Sequence, residues 1–137
     1  MNSFNELTKL KTLLVDDDEL IRDSLKIAFS AKGCAMRVAE NAEEGLKAIS
    51  EEPFDIIISD LRLPGMNGLD FIKQAAVIQP EAIRFLITAY RDDHIISEAV
   101  RIGVNEFIEK PFAVKVLINL LVLALKRQKK NRAAAAK

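Results

Sequence analysis

The sequence predicts an α/β protein built on one parallel sheet, doubly wound with helices on both faces, in strand order 2-1-3-4-5. Three observations predict it. Short apolar, β-branched runs alternate five times with stretches of helical period. The connections between them are short, which favours right-handed crossovers and covers both faces of a parallel sheet. The middle run, Phe54 to Ser59, is almost wholly apolar on consecutive positions, as a central strand covered on both sides must be. The order 2-1-3-4-5 is one of two common solutions, and its switch point falls between strands 1 and 3, where open sheets of this kind bind ligands.

The elements follow in order. Met1 to Lys9 is polar, lacks the apolar segment of a signal peptide, and is expected to be a leader (1–9) before a domain over 10–126. Leu13-Leu14-Val15 is a buried strand cut off by Asp16-Asp17-Asp18-Glu19. Ile21, Leu25, Ala28 and Phe29 then recur at helical spacing until Gly33 stops the helix. Ala35 to Ala39 is a short second strand. Asn41, with Glu44 three residues on, forms an N-cap and capping box for a helix that buries Ala42, Leu46 and Ile49 and closes before Pro53. The central strand ends in Asp60, and Pro64-Gly65 is turn chemistry. Leu69, Ile72 and Ala76 mark a third helix, which ends before Pro80. Ile83 to Ile87 is the fourth strand. The fourth helix carries Ile95, Ile96, Ala99 and Val100 and ends near Gly103. Glu106 to Ile108 is a short fifth strand, and a last helix runs from about Ala113 to about Lys130, inside a basic, alanine-rich tail over 127–137.

Composition narrows the function. Lysine plus arginine and aspartate plus glutamate both number 20, so the chain as a whole has no basic excess for nucleic acid. One cysteine, Cys34, precludes an intramolecular disulfide and fits a reducing, cytoplasmic setting. One histidine, His94, excludes a multi-histidine metal site. The most apolar run, Val114 to Leu125, is shorter than the roughly 20 residues that span a bilayer, so no membrane insertion is expected.

The chemistry lies at the strand ends. Taken singly, each polar residue there has a plain role. Asp18 can cap the first helix, Asp16-Asp17-Asp18 can be a solvated run, Thr88 can cap the fourth helix, and Lys110 can be a surface lysine. Taken together, Asp16, Asp17, Asp60, Thr88 and Lys110 all fall at the carboxyl edge, spread over four strands. Carboxylates about 4 Å apart repel by about 4 kcal/mol at an effective dielectric near 20. A divalent cation offsets this. An open, all-oxygen site with few carboxylates suits Mg²⁺, which commonly shares its site with a phosphoryl group. Lys110 then offers a point charge and Thr88 a hydroxyl.

These residues resemble those of the receiver domain of bacterial two-component response regulators. The matching stretches are Leu13 to Asp17, Asp60-Leu61-Arg62-Leu63-Pro64-Gly65-Met66-Asn67-Gly68, Thr88-Ala89 and Lys110-Pro111-Phe112. The resemblance implies a flavodoxin-like three-layer sandwich. It implies that Asp60 accepts a phosphoryl group from the phosphohistidine of a sensor histidine kinase or phosphotransfer protein. It also implies that Asp17, Asp60 and the backbone carbonyl of Arg62 ligate Mg²⁺, with Asp16 acting mainly through a water. Lys110, Thr88 and the small Ala89 would surround the phosphoryl group, Thr88 and Phe107 would form the switch, and the Lys110-Pro111 bond would be cis. Phe107 stands where many relatives have tyrosine, so it keeps a mobile ring without a hydroxyl. Arg62 and Tyr90 fall where the family tunes phosphoryl lifetime. The resemblance implies no enzymatic activity beyond promoting the domain's own phosphorylation and dephosphorylation.

The last helix carries surplus apolar residues. Phe112, Leu117, Leu121 and Ala124 make the expected core face. Val116, Leu120 and Leu123 form a second stripe, and Ile118, Val122 and Leu125 a third. A homodimer or partner surface is expected there, switching with the fourth helix and fifth strand. The basic residues that follow complement the helix dipole rather than bind nucleic acid. Two other functions stay open: a receiver fold used only for binding, and a small Mg²⁺-dependent phosphatase or nucleotide-binding enzyme. The lack of a Gly-rich phosphate loop after the first strand counts against nucleotide binding.

Overall fold

The computed structural model describes residues 3–135. Met1 and Asn2 of the expected leader, and Ala136 and Lys137 of the tail, lie outside the described residues. Five parallel strands form one sheet in the order β2-β1-β3-β4-β5. They are β1 (Lys11–Val15), β2 (Ala35–Ala39), β3 (Ile56–Asp60), β4 (Ile83–Thr88) and β5 (Glu106–Glu109). The helices α1 (Glu19–Ala31), α2 (Ala42–Glu51), α3 (Gly68–Ile78), α4 (Asp93–Arg101) and α5 (Val114–Ala135) alternate with them. A short 3₁₀ turn, Ser3–Glu6, precedes β1.

The sheet divides the core in two. On one side Leu14, Ile56, Ile58, Phe85 and Ile87 pack with α1 and α5. On the other Leu13, Val15, Ile57 and Leu86 pack with α2 and α3. Every residue of β3 is buried, the condition that its consecutive apolar positions demanded. Four helices begin at side-chain caps close to the carboxyl edge: Asp18 accepts from Leu20 and Ile21, Asn41 from Glu44, Asn67 from Asp70, and Asp92 from His94 and Ile95. At Asn41 the partner carboxylate of Glu44 meets the asparagine's own amide, a side-chain variant of the box.

Several expectations are corrected. Leu7, expected in a leader, is in the core at 1% exposure. The buried face of α3 is Gly68, Phe71, Ile72 and Ala75, one position round from Leu69, Ile72 and Ala76. Val100 is exposed, because α4 turns Ala99 to the sheet. In α5 the third stripe, Ile118, Val122 and Leu125, is core beside Leu117, Leu121 and Ala124, and Leu120 packs partly against it. Val116 and Leu123 are what remain exposed of the surplus. α5 also runs on through the basic stretch to Ala135, where Arg127 pairs with Glu106, and Arg132 with Glu81. None of the described helices is long and apolar enough to cross a membrane.

Candidate functional site

The carboxyl edge of the sheet gathers the predicted residues. Asp16 follows the last residue of β1, Asp60 ends β3, Thr88 ends β4, and Lys110 follows β5. One oxygen from each of Asp16, Asp17 and Asp60 lies within 4.8 Å of the other two. Asp16 and Asp60 are buried while Asp17 faces solvent, so the cluster is open on one side. Lys110 reaches in from β5, with Nζ 2.9 Å from Asp60 Oδ2 and 3.3 Å from Asp16 Oδ2.

One cation against three carboxylates leaves the site short of positive charge. At 4.8 Å and an effective dielectric near 20, each carboxylate pair repels by about 3–4 kcal/mol. The strain shows at Asp16. Its Oδ1 accepts from the Asp18 N–H at 2.9 Å, but its buried Oδ2 has no hydrogen-bond partner. Burial, reinforced by the Asp60 charge, raises its pKa from 3.8 to about 6 against the opposing pull of the Asp18 N–H and Lys110. Burial alone would lower Lys110. Its hydrogen bond to Asp60 and the two carboxylate charges outweigh that and hold it above the ordinary lysine range.

This predicts a stability trade-off. A carboxyl group with a raised folded pKa binds more protons when folded, so its contribution is present below about pH 4 and is lost as pH rises through about 6. Asp16→Asn should flatten that slope and stabilise the metal-free chain at pH 7 by up to about 3 kcal/mol. Urea unfolding at pH 4.5 and 7, without divalent cations, checks it.

The remaining residues sit as follows. The Arg62 N–H donates to Asp60 Oδ1 at 3.4 Å, and the Arg62 side chain is exposed. Thr88 does not cap α4; Asp92 does. The Thr88 hydroxyl instead donates to the Tyr90 carbonyl at 2.7 Å and accepts from the Tyr90 N–H. Ala89 and Tyr90 are exposed. Phe107 is half-buried and packs against the Leu86 side of the core. The Lys110–Pro111 bond is cis.

Two residues of the matching stretch had no role assigned from the sequence. Gly68 N–H donates to the Leu61 carbonyl at 2.8 Å, and a Cβ there would overlap the Asp60 carbonyl oxygen. Asn67 caps α3 beside it. Together they hold the β3–α3 turn tight against Asp60. The Asn67-Gly68 pair was the available signal, since Asn is a preferred cap and Gly permits close backbone approach.

A 2-1-3-4-5 sheet with carboxylates and a lysine at this edge defines a class: the phosphoacceptor domains of two-component signalling. Residues 12–122 match the response regulator receiver domain family, and the chain belongs to it. It is 32% identical over 120 residues to the response regulator protein PilR of Pseudomonas aeruginosa, covering 88% of this chain and 27% of that protein. The chain thus spans just over a quarter of that relative's length. A CheY-like receiver domain protein from Methanospirillum hungatei superimposes with a TM-score of 0.84 at 29% identity, covering 89% of this chain and 98% of the other. A response regulator from Burkholderia pseudomallei, solved with a phosphorylated aspartic acid, a calcium ion and citrate, does so at 0.78 and 28% identity, covering 93% and 73%.

Proposed function

We propose that Asp60 accepts a phosphoryl group from the phosphohistidine of a sensor histidine kinase or phosphotransfer protein, in a site where Asp16, Asp17, Asp60 and the Arg62 carbonyl hold Mg²⁺. The observation that carries this is the convergence of three carboxylates within 4.8 Å beside a single lysine. The donor set fits the ion: all-oxygen, open to solvent on the Asp17 side, and with a buried Asp16 oxygen lacking a hydrogen bond. Mg²⁺, when bound, offsets the carboxylate repulsion and the charge on the transferring group.

An Asp60 oxygen attacks phosphorus; the P–O bond forms as the P–N bond breaks, and the imidazole leaves with that electron pair. Lys110 exchanges a carboxylate for a phosphoryl oxygen and stabilises the charge that develops there. Ala89 leaves room beside the group. The new charge, about −1.5 to −2, draws the Thr88 hydroxyl away from the Tyr90 carbonyl, and the Phe107 ring follows it inward. Asp60 turns over no other substrate in this reading. Intact mass after acetyl phosphate treatment tests it: one phosphoryl group is gained with Mg²⁺ and none with EDTA. Uptake unaffected by EDTA would rule out the metal.

The output is a changed surface over α4, β5 and α5, where Val100, Val116 and Leu123 are exposed. A second copy of the chain is the occupant we favour. Leu123→Glu, unlike a change at the half-packed Leu120, should leave the fold intact. It should weaken beryllofluoride-induced association by roughly 1–3 kcal/mol in sedimentation experiments. Wild-type protein that stays monomeric in beryllofluoride would leave only a heterologous partner.

A further inference from the structure

Arg22 lies in the first turn of α1, the end of a helix where a cation is disfavoured by the dipole. Its side chain is nevertheless only 15% exposed. Nη1 donates to the backbone carbonyl of Asp16 at 2.9 Å, and Nη2 lies 3.8 Å from Glu40, just beyond β2. That carbonyl belongs to the Asp16–Asp17 peptide, whose atoms are coplanar. Fixing its oxygen therefore fixes the plane from which the Asp17 side chain departs. The β1–α1 loop is held at the Asp16 N–H by the Ala39 carbonyl, and at Asp16 Oδ1 by the Asp18 N–H. Among the described residues no hydrogen bond or ion pair holds the Asp17 carboxylate itself, so its aim comes through the backbone.

We infer that Arg22 is a positioning residue for the cation site: by clamping the Asp16 carbonyl it sets the direction of the Asp17 carboxylate toward Asp16 and Asp60. This rests on the cation site proposed above. A guanidinium acting only through its charge would repel Mg²⁺, so its removal would tighten binding. A guanidinium acting as a clamp has the opposite effect, and the sign decides between them.

The test is Mg²⁺ titration by calorimetry on the full chain, with circular dichroism to verify folding. Arg22→Met keeps the apolar stem and loses both donors and charge. It should weaken Mg²⁺ binding 10–100-fold, as loss of an outer-shell partner typically does. Arg22→Lys keeps the charge without the planar fork and should fall between wild type and Arg22→Met. If Arg22→Met does not fold, Arg22→Gln takes its place with the same expected direction. Unchanged or tighter binding in the folded neutral variant overturns the role of Arg22. A wild-type chain that binds no Mg²⁺ overturns the cation site itself, and the clamp with it.

Discussion

Asp60→Asn should gain no phosphoryl group from acetyl phosphate in Mg²⁺ and should keep its fold. The first part follows from chemistry. An amide oxygen is a far weaker nucleophile than a carboxylate, and no other carboxylate stands at the end of β3 with Lys110 on one oxygen. The second part follows from charge. Removing Asp60 leaves Asp16 and Lys110, 3.3 Å apart, as a one-to-one pair, so no uncompensated buried charge is created. It also removes a carboxylate repulsion of about 3–4 kcal/mol. Intact mass reads the first outcome and thermal unfolding the second. A full mass gain in the variant would place the acceptor elsewhere.

Gly68→Ala should lose both stability and the site. A Cβ at Gly68 would overlap the Asp60 carbonyl oxygen and stand 2.9 Å from Leu61 Cα. Both are backbone atoms, so no side-chain rotation relieves the clash. Either α3 moves outward, breaking the Gly68 N–H bond to Leu61, or β3 shifts and carries Asp60 with it. Overpacking of this kind costs about 3 kcal/mol, toward the upper end for such substitutions. Phosphoryl uptake should fall even in the folded fraction, because the turn that supports Asp60 is displaced. Urea unfolding and acetyl phosphate uptake measure the two effects. Wild-type stability would mean that the turn is looser than the geometry implies.

The strand ends were the most legible part of this chain. β1 and β3 are apolar on consecutive positions and stop at carboxylates, so both their burial and their direction followed from pattern. Switching order then placed Asp16, Asp17 and Asp60 together without any knowledge of side-chain contacts. The helix faces were harder where apolar residues surround the axis. In α3, Leu69, Phe71, Ile72, Ala75, Ala76, Val77 and Ile78 fit several stripes. Packing chose the one containing Phe71, whose ring fills the space beside Gly45. In α5 the same ambiguity hid Ile118, Val122 and Leu125, which the sheet face and Leu7, just after the 3₁₀ turn, bury together. The Thr88 hydroxyl was placed at the right strand end, but its partner, the Tyr90 carbonyl, depends on a loop conformation that no residue spacing encodes. The Arg22 contact was hidden for a related reason: an arginine in a first turn reads as surface until the loop before it is built.

The most direct measurement is tandem mass spectrometry on the wild-type chain after treatment with acetyl phosphate and Mg²⁺, locating the added group. One acyl phosphate is expected, carried by the peptide that contains Asp60 and by no other. A phosphoryl group on a different residue, or none under conditions where the chain is folded and Mg²⁺ is present, would contradict it.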